Sequence, residues 1–248
     1  MLSQLRLPAF KRFWQEFGKE ADAQGIGSAC YLASLCEQEI EERNSRRKKA
    51  RIKESNLKDG KTLTTFDFKH VPMLKKAHIR ALATGDVWIK QGVNLLLFGP
   101  SGVGKTHLAN AIGLELLQNN YRVMLMRTTH LVQKLQAAKQ ALILPDLLKK
   151  LDKYDCLILD DFGYVSRDTH ETNVLFELIA ERYERKSVII TCNQPFDQWD
   201  SIFQDKVMAV AAIDRLVHDA TIFEINVKSF RKNAAFKKIG KTDNSKGM

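Results

Sequence analysis

The sequence predicts an α/β fold: a parallel sheet of five strands flanked by helices, preceded by a small helical N-terminal domain. Three features predict it. Five short apolar runs lie beyond residue 66, each bounded by turn-forming or polar residues and separated from the next by helical stretches. Runs that are apolar at nearly every position suit strands buried on both faces, the state of a parallel sheet covered by helices. A glycine-rich loop joins the first of these runs to a helix. Residues 1–58 hold only Pro8, Gly18, Gly25 and Gly27 as breakers, so helices dominate there.

In chain order, helices are expected near residues 3–18 and 28–56. In the second, Leu32, Leu35, Cys36, Glu39, Ile40 and Arg43 recur at helical spacing, with charged residues outside the stripe. This N-terminal domain spans 1–58. Asp59-Gly60 and the polar run to Thr65 break the pattern and read as a linker over 59–69. The core is expected over 70–232. Pro72 is expected to open a helix that ends at Gly85. Strands are expected at 94–98, 122–126, 156–159, 187–191 and 221–225. Residues 233–248 read as a basic disordered tail.

Of 248 residues, 44% are hydrophobic and 27% charged, which excludes a wholly disordered chain. No run approaches the ~18 apolar residues of a membrane span, and nothing near the N-terminus suits a signal peptide. Cys30, Cys36, Cys156 and Cys192 form no CxxC pair and read as reduced thiols of a cytoplasmic protein, not a zinc site or disulfide frame. Lys and Arg number 39 against 29 Asp and Glu, a net charge of +10. Residues 43–61 carry +7 and residues 228–248 carry +6, so the rest of the chain is at −3. Charge concentrated in this way is the footprint of a polyanion binder, or else a solvated surface.

The chemistry-bearing residues start with Gly99-Pro100-Ser101-Gly102-Val103-Gly104-Lys105-Thr106, which fits the P-loop pattern. Its glycines let backbone N–H groups turn inward on phosphate oxygens, Lys105 suits the β- and γ-phosphates, and Thr106 suits Mg²⁺. The helix that begins near Lys105 adds its positive dipole end. A structural glycine turn is the alternative. The run at 156–159 leads to Asp160 and Asp161. Strand-end carboxylates can hold Mg²⁺ (Asp160) and polarise an attacking water (Asp161), or can simply open a solvated loop. The run at 187–191 leads to Asn193, which suits a water or γ-phosphate if its strand lies beside that of Asp160, and otherwise a turn before Pro195. Arg46, Arg47, Lys48, Lys49, Arg51 and Lys53 are too dense for one helix face and suit sequence-independent contact with DNA phosphates. His107 reads as a packing or hydrogen-bonding residue, and Trp14, Trp88 and Trp199 as core or partner-facing residues.

Taken in order, four phrases resemble the AAA+ ATPases. They are Gly-Pro-Ser-Gly-Val-Gly-Lys-Thr-His-Leu-Ala from 99, Leu-Ile-Leu-Asp-Asp-Phe-Gly-Tyr from 157, Val-Ile-Ile-Thr-Cys-Asn-Gln-Pro-Phe from 188 and Asp-Arg-Leu-Val-His from 214. The set is most similar to the IstB-type transposition helper proteins, cousins of the DnaC-type helicase loaders, over residues 1–232. The resemblance implies ATP and Mg²⁺ as cofactors held by 99–106 and Asp160. It makes Asp161 the second Walker B residue, Asn193 sensor I and Arg215 an arginine finger that reaches a γ-phosphate on the next subunit. On its own, Arg215 could equally pair with Asp214 or Asp219. Phe66, in Phe66-Asp67-Phe68, resembles the segment that closes over the adenine. By the same resemblance Lys134, Lys139, Lys149 and Lys150 line a central channel.

Two departures from the family carry consequences. Asp161 stands where most AAA+ proteins have Glu, and its shorter arm implies slow hydrolysis. The helical lid is expected to be absent or vestigial, which takes away the element that would make Arg231 a sensor II residue. The implied protein is an ATPase that forms a homo-oligomer, ring or helix, on double-stranded DNA, stimulated by DNA and partnered by a cognate transposase, with no membrane contact. The alternative is a DnaC-type replicative helicase loader.

Overall fold

The computed structural model describes residues 1–163, 169–194, 198–199, 206–227 and 229. Tyr164, Pro195, Phe196, Arg231 and the 233–248 tail lie outside the described residues. The chain divides into two compact units, Met1–Lys53 and Glu54–Met248, a division five residues before the expected boundary at 58. No described helix is long and apolar enough to cross a membrane.

The first unit consists of α1 (Pro8–Gln24) and all but the last residue of α2 (Ser28–Glu54). The first helix begins five residues later than expected because of Pro8. A proline ring fits only the first helical turn, where its missing N–H costs nothing. The N–H of Ala9 donates to the Glu39 carboxylate at 2.7 Å. The helix continues through Gly18 and closes at Gly25, whose φ of 64° and N–H to the Ala21 carbonyl make a left-handed cap. On α2 the apolar stripe is turned partly outward: Leu35 is buried, whereas Leu32 and Ile40 are 54% and 57% exposed. The buried position one turn past Leu35 is Glu39, which also accepts from Arg43 Nε at 2.8 Å. Burial alone would raise its pKa, but the Arg43 and Ala9 donors prevail and hold the carboxyl below its usual value.

The second unit begins with residues 54–75 and α3 (Lys76–Thr84). It continues through β1 (Asn94–Phe98), α4 (Lys105–Gln118), β2 (Val123–Arg127), α5 (Thr128–Gln140), α6 (Leu144–Asp152) and β3 (Cys156–Asp160). α7 (Thr169–Arg182), β4 (Ser187–Cys192), α8 (Lys206–Val217) and β5 (Ala220–Glu224) complete it. The sheet is parallel throughout, in the order β2-β3-β4-β1-β5. The three inner strands are buried at every position, as their unbroken apolar character requires. One face buries Leu96, Phe98, Leu157, Leu159, Val188 and Ile190 in a cluster shared with α5, α7 and α8. On the other face α4 comes close at Gly113, where a Cβ would sit 2.8 Å from Ile158 Cδ1.

Two expectations shift. The helix expected from Pro72 begins at Lys76, because turns occupy the intervening residues: the N–H of Val71 donates to Phe68 O and that of Leu74 to Val71 O. Residues 59–69, expected as a linker, lead in from a segment fastened to the core. The Asn110 amide donates to Lys58 O and Lys61 O at 2.9 Å each and accepts the Lys58 N–H at 2.8 Å. Just before it, Ser55 O accepts the Leu125 N–H at 2.7 Å and the Asn56 amide donates to Leu125 O at 3.2 Å, along the outer edge of β2. Arg182, 2% exposed, closes the far end of α7. Its guanidinium donates to the carbonyls of Leu151, Tyr154 and Ser187 at 3.0–3.2 Å, and burial pushes its pKa down to about 10.

Candidate nucleotide-binding site

The carboxyl ends of β1, β3 and β4 open into one cleft of about 840 Å³. Strand ends and helix N-termini converge there, as they do at the binding crevice of open parallel sheets. Its floor is the loop from Gly99, in which Gly99, Gly102 and Gly104 take φ of 140°, 83° and 103°. Only glycine adopts these readily. A Cβ at Gly99 would also lie 2.3 Å from the Ile225 carbonyl oxygen. Ser101, Gly102 and Gly104 line the cleft, Pro100 is exposed, and Val103 is buried beneath the loop as its anchor. Lys105 is 8% exposed, and its ammonium donates to Gly99 O at 2.6 Å and Pro100 O at 2.8 Å.

At the far wall, β3 and β4 lie side by side, which is the condition set for Asn193 to reach the same site as Asp160. Asp160, Asp161 and Asn193 all line the cleft. Thr106 Oγ1 donates to Asp160 Oδ1 at 2.7 Å, and Thr191 Oγ1 donates to the same oxygen at 2.6 Å. Asp160 Oδ2 makes no hydrogen bond among the described residues. Asp161 is exposed and left-handed, with φ of 58°.

The near wall belongs to the entry segment. Phe66, 6% exposed, packs edge-on against Phe68 at 4.8 Å and His107 at 5.4 Å between centroids. Its ring would lie 3.1 Å from a Cβ at Gly104, so the aromatic rests on the end of the phosphate loop. His107 Nε2 sits 3.1 Å from Thr62 O and 3.1 Å from Thr65 Oγ1, a hydrogen-bonding role as expected. Burial lowers its pKa, against the Thr62 bond, which favours the proton. Lys58, Lys61 and Arg127 also face the cleft and add positive charge that sequence reasoning did not assign to it. They come from distant chain positions and carry no motif.

The remaining candidates lie elsewhere. Arg215, on α8, donates to Ala211 O at 2.8 Å and stacks over Phe176 at 5.1 Å and Tyr183 at 5.9 Å. It does not line its own cleft, and neither Asp214 nor Asp219 lies within ion-pair distance of it. Arg46, Arg47, Lys48, Lys49, Arg51 and Lys53 all project from the second half of α2, exposed except for half-buried Arg51. Arg46 Nη2 lies 3.8 Å from both Glu39 and Glu42. Lys139 pairs with Glu177 at 2.7 Å. Lys134 and Lys150 line a second pocket of about 330 Å³ beside β2.

The family model for IstB-like ATP binding proteins matches residues 1–238. The chain belongs to the IstB-like ATP-binding protein family. An insertion sequence ATP-binding protein of Sinorhizobium fredii is 53% identical over 235 residues, covering 95% of this chain and 79% of the relative. The insertion sequence IS21 ATP-binding protein of Pseudomonas aeruginosa is 34% identical over 231 residues, covering 93% and 87%. Among solved structures, the DnaC helicase loader shares 21% identity with a TM-score of 0.57 over 67% of this chain and 97% of that one. AMPPCP-bound DnaA from Aquifex aeolicus shares 20% identity with a TM-score of 0.57, over 76% and 57%. These two likenesses establish the AAA+ P-loop fold of the IstB-like protein. Its cleft fits the ligand that the family name implies. Left-handed glycines free the loop amides for phosphate oxygens, and the hydroxyl and carboxylate oxygens of Thr106 and Asp160 are the hard donors that Mg²⁺ takes.

Proposed function

We propose that this IstB-like protein hydrolyses ATP, assembles on double-stranded DNA and serves a cognate transposase as the helper that governs target choice and recruitment. One observation carries the reading: the loop bearing Lys105 and Thr106 and the strand ends bearing Asp160, Asp161 and Asn193 meet in a single cleft. Loop amides and Lys105 would bind the triphosphate, Thr106 and Asp160 would hold Mg²⁺, and Phe66 would close over the base. The cation, when bound, neutralises phosphate charge. Asp161 accepts the proton of a water that attacks the γ-phosphorus, and Asn193 orients that water. The bond from the γ-phosphorus to the β–γ bridging oxygen breaks, leaving ADP and phosphate. Arg215, outside its own cleft, would stabilise γ-phosphate charge in a neighbouring protomer. The exposed cations of α2 would contact DNA phosphates without reading sequence, and repetition around an oligomer would raise affinity by avidity. The insertion sequence names of the relatives support the transposase as partner. The setting is the bacterial cytoplasm, at the nucleoid.

Direct nucleotide titration and electron microscopy with ATP and a long duplex test the reading. The wild-type chain should form nucleotide-dependent oligomers on the duplex. Lys105→Ala should lose tight ATP binding and assembly together. Unchanged nucleotide affinity in Lys105→Ala, or no association of the wild type with duplex, overturns it.

A further inference from the structure

Thr191 sits 1% exposed at the end of β4, on the face covered by α4, and no part of the P-loop or Asp160-Asp161 pattern includes it. Its hydroxyl is used twice. The proton goes to Asp160 Oδ1 at 2.6 Å, and the oxygen accepts the Asp161 N–H at 3.0 Å. Its main-chain carbonyl accepts the Phe162 N–H at 2.9 Å. One residue thus fastens three consecutive positions of the neighbouring strand end, including Asp161 in its left-handed conformation with φ of 58°. A left-handed non-glycine residue persists only where its surroundings over-determine it. Both hydroxyls that reach Asp160, from Thr106 and Thr191, go to Oδ1, so Oδ2 is left without a hydrogen-bond partner among the described residues. The hydrogen-bond chain from the Asp161 N–H through the Thr191 hydroxyl to the Asp160 carboxylate runs in one direction, and each bond polarises the next.

We infer that Thr191 is a positioning residue for the ATPase site: its hydroxyl sets the Asp160 carboxylate for the cation and fixes the turn that aims Asp161. This rests on the ATPase reading above. Thr191 itself is no cation ligand, since its side chain is buried and does not line the cleft.

Three full-length proteins test it: wild type, Thr191→Val, which keeps the shape and removes the hydroxyl, and Thr191→Ser, which keeps the hydroxyl. Mn²⁺ uptake in the presence of AMPPCP is followed by the electron paramagnetic resonance of the free ion. ATPase turnover, nucleotide affinity in EDTA and melting temperature are measured beside it. Thr191→Val should weaken Mn²⁺ binding by about tenfold or more, the range found when a group supporting a metal ligand is removed. Turnover should fall with it, metal-free nucleotide affinity should stay, and Thr191→Ser should restore both losses. A valine protein that melts lower yet binds Mn²⁺ as the wild type does would make Thr191 merely structural and overturn the inference. The same holds if serine fails to rescue. A wild type that takes up no Mn²⁺ with the nucleotide overturns the ATPase reading itself, a result distinct from the other two.

Discussion

A neutral imidazole fastens one wall of the nucleotide cleft. His107 reaches Thr62 O and Thr65 Oγ1 while burial depresses its pKa. A base with a depressed folded-state pKa contributes stability that is intact above its unfolded value, 6.5, and drains away as pH falls below it. The gap in melting temperature between wild type and His107→Asn should therefore be wide at pH 7.5 and narrow at pH 5.5. A constant gap across that window would remove His107 as the source. This histidine was readable as a hydrogen-bonding residue from its place beside Thr106, and the loop from Gly99 was readable because all its chemistry is local. Thr191 and Asn110 were not. Their partners Asp160 and Lys58 lie 31 and 52 residues away, so their meaning arises only when β3 meets β4 and the entry segment meets α4.

Among elements, α7 depends on a charge that no pattern announced. Arg182 enters the core to satisfy carbonyls of Leu151, Tyr154 and Ser187, gathering the ends of α6 and α7 and the start of β4. Arg182→Met would fill the volume but take the guanidinium donor from Tyr154 O and Ser187 O, whereas Leu151 O keeps the Tyr154 N–H, at a cost of ~2 kcal/mol in unfolding free energy. Urea denaturation followed by circular dichroism measures this, and a midpoint within error of wild type would refute it. The strands were legible because residues buried on both faces are apolar at nearly every position. The N-terminal helices were less so. Pro8 moves the start of α1, and the stripe on α2 conceals that its buried position is Glu39, a carboxylate that bonds to the backbone of α1. Hydrophobic spacing cannot anticipate a charge that caps another helix.

For the whole molecule the open question is whether one chain completes a site. Arg215 rests on Phe176 and Tyr183, away from its own cleft, so a site completed by a neighbour predicts complementation. Arg215→Ala should bind ATP as a monomer yet lose about tenfold or more in DNA-stimulated turnover, a modest share of the ~10³–10⁵ credited to fingers supplied in trans. Mixed with Lys105→Ala, it should regain part of that turnover, because a Lys105→Ala subunit lends its intact Arg215 to a neighbour that still holds ATP. No recovery in a mixture proven to co-assemble would argue that Arg215 acts within its own chain or not at all. The border of the sheet bears on every such experiment. Ser55 and Asn56 bond along the outside of β2, where a bare strand would pair with any extended chain it met. A fragment cut to begin at residue 70 discards that cover. Its clumping would be strand-to-strand stitching, indistinguishable by size alone from assembly on DNA, so residues ahead of the catalytic body keep the protein's self-association honest.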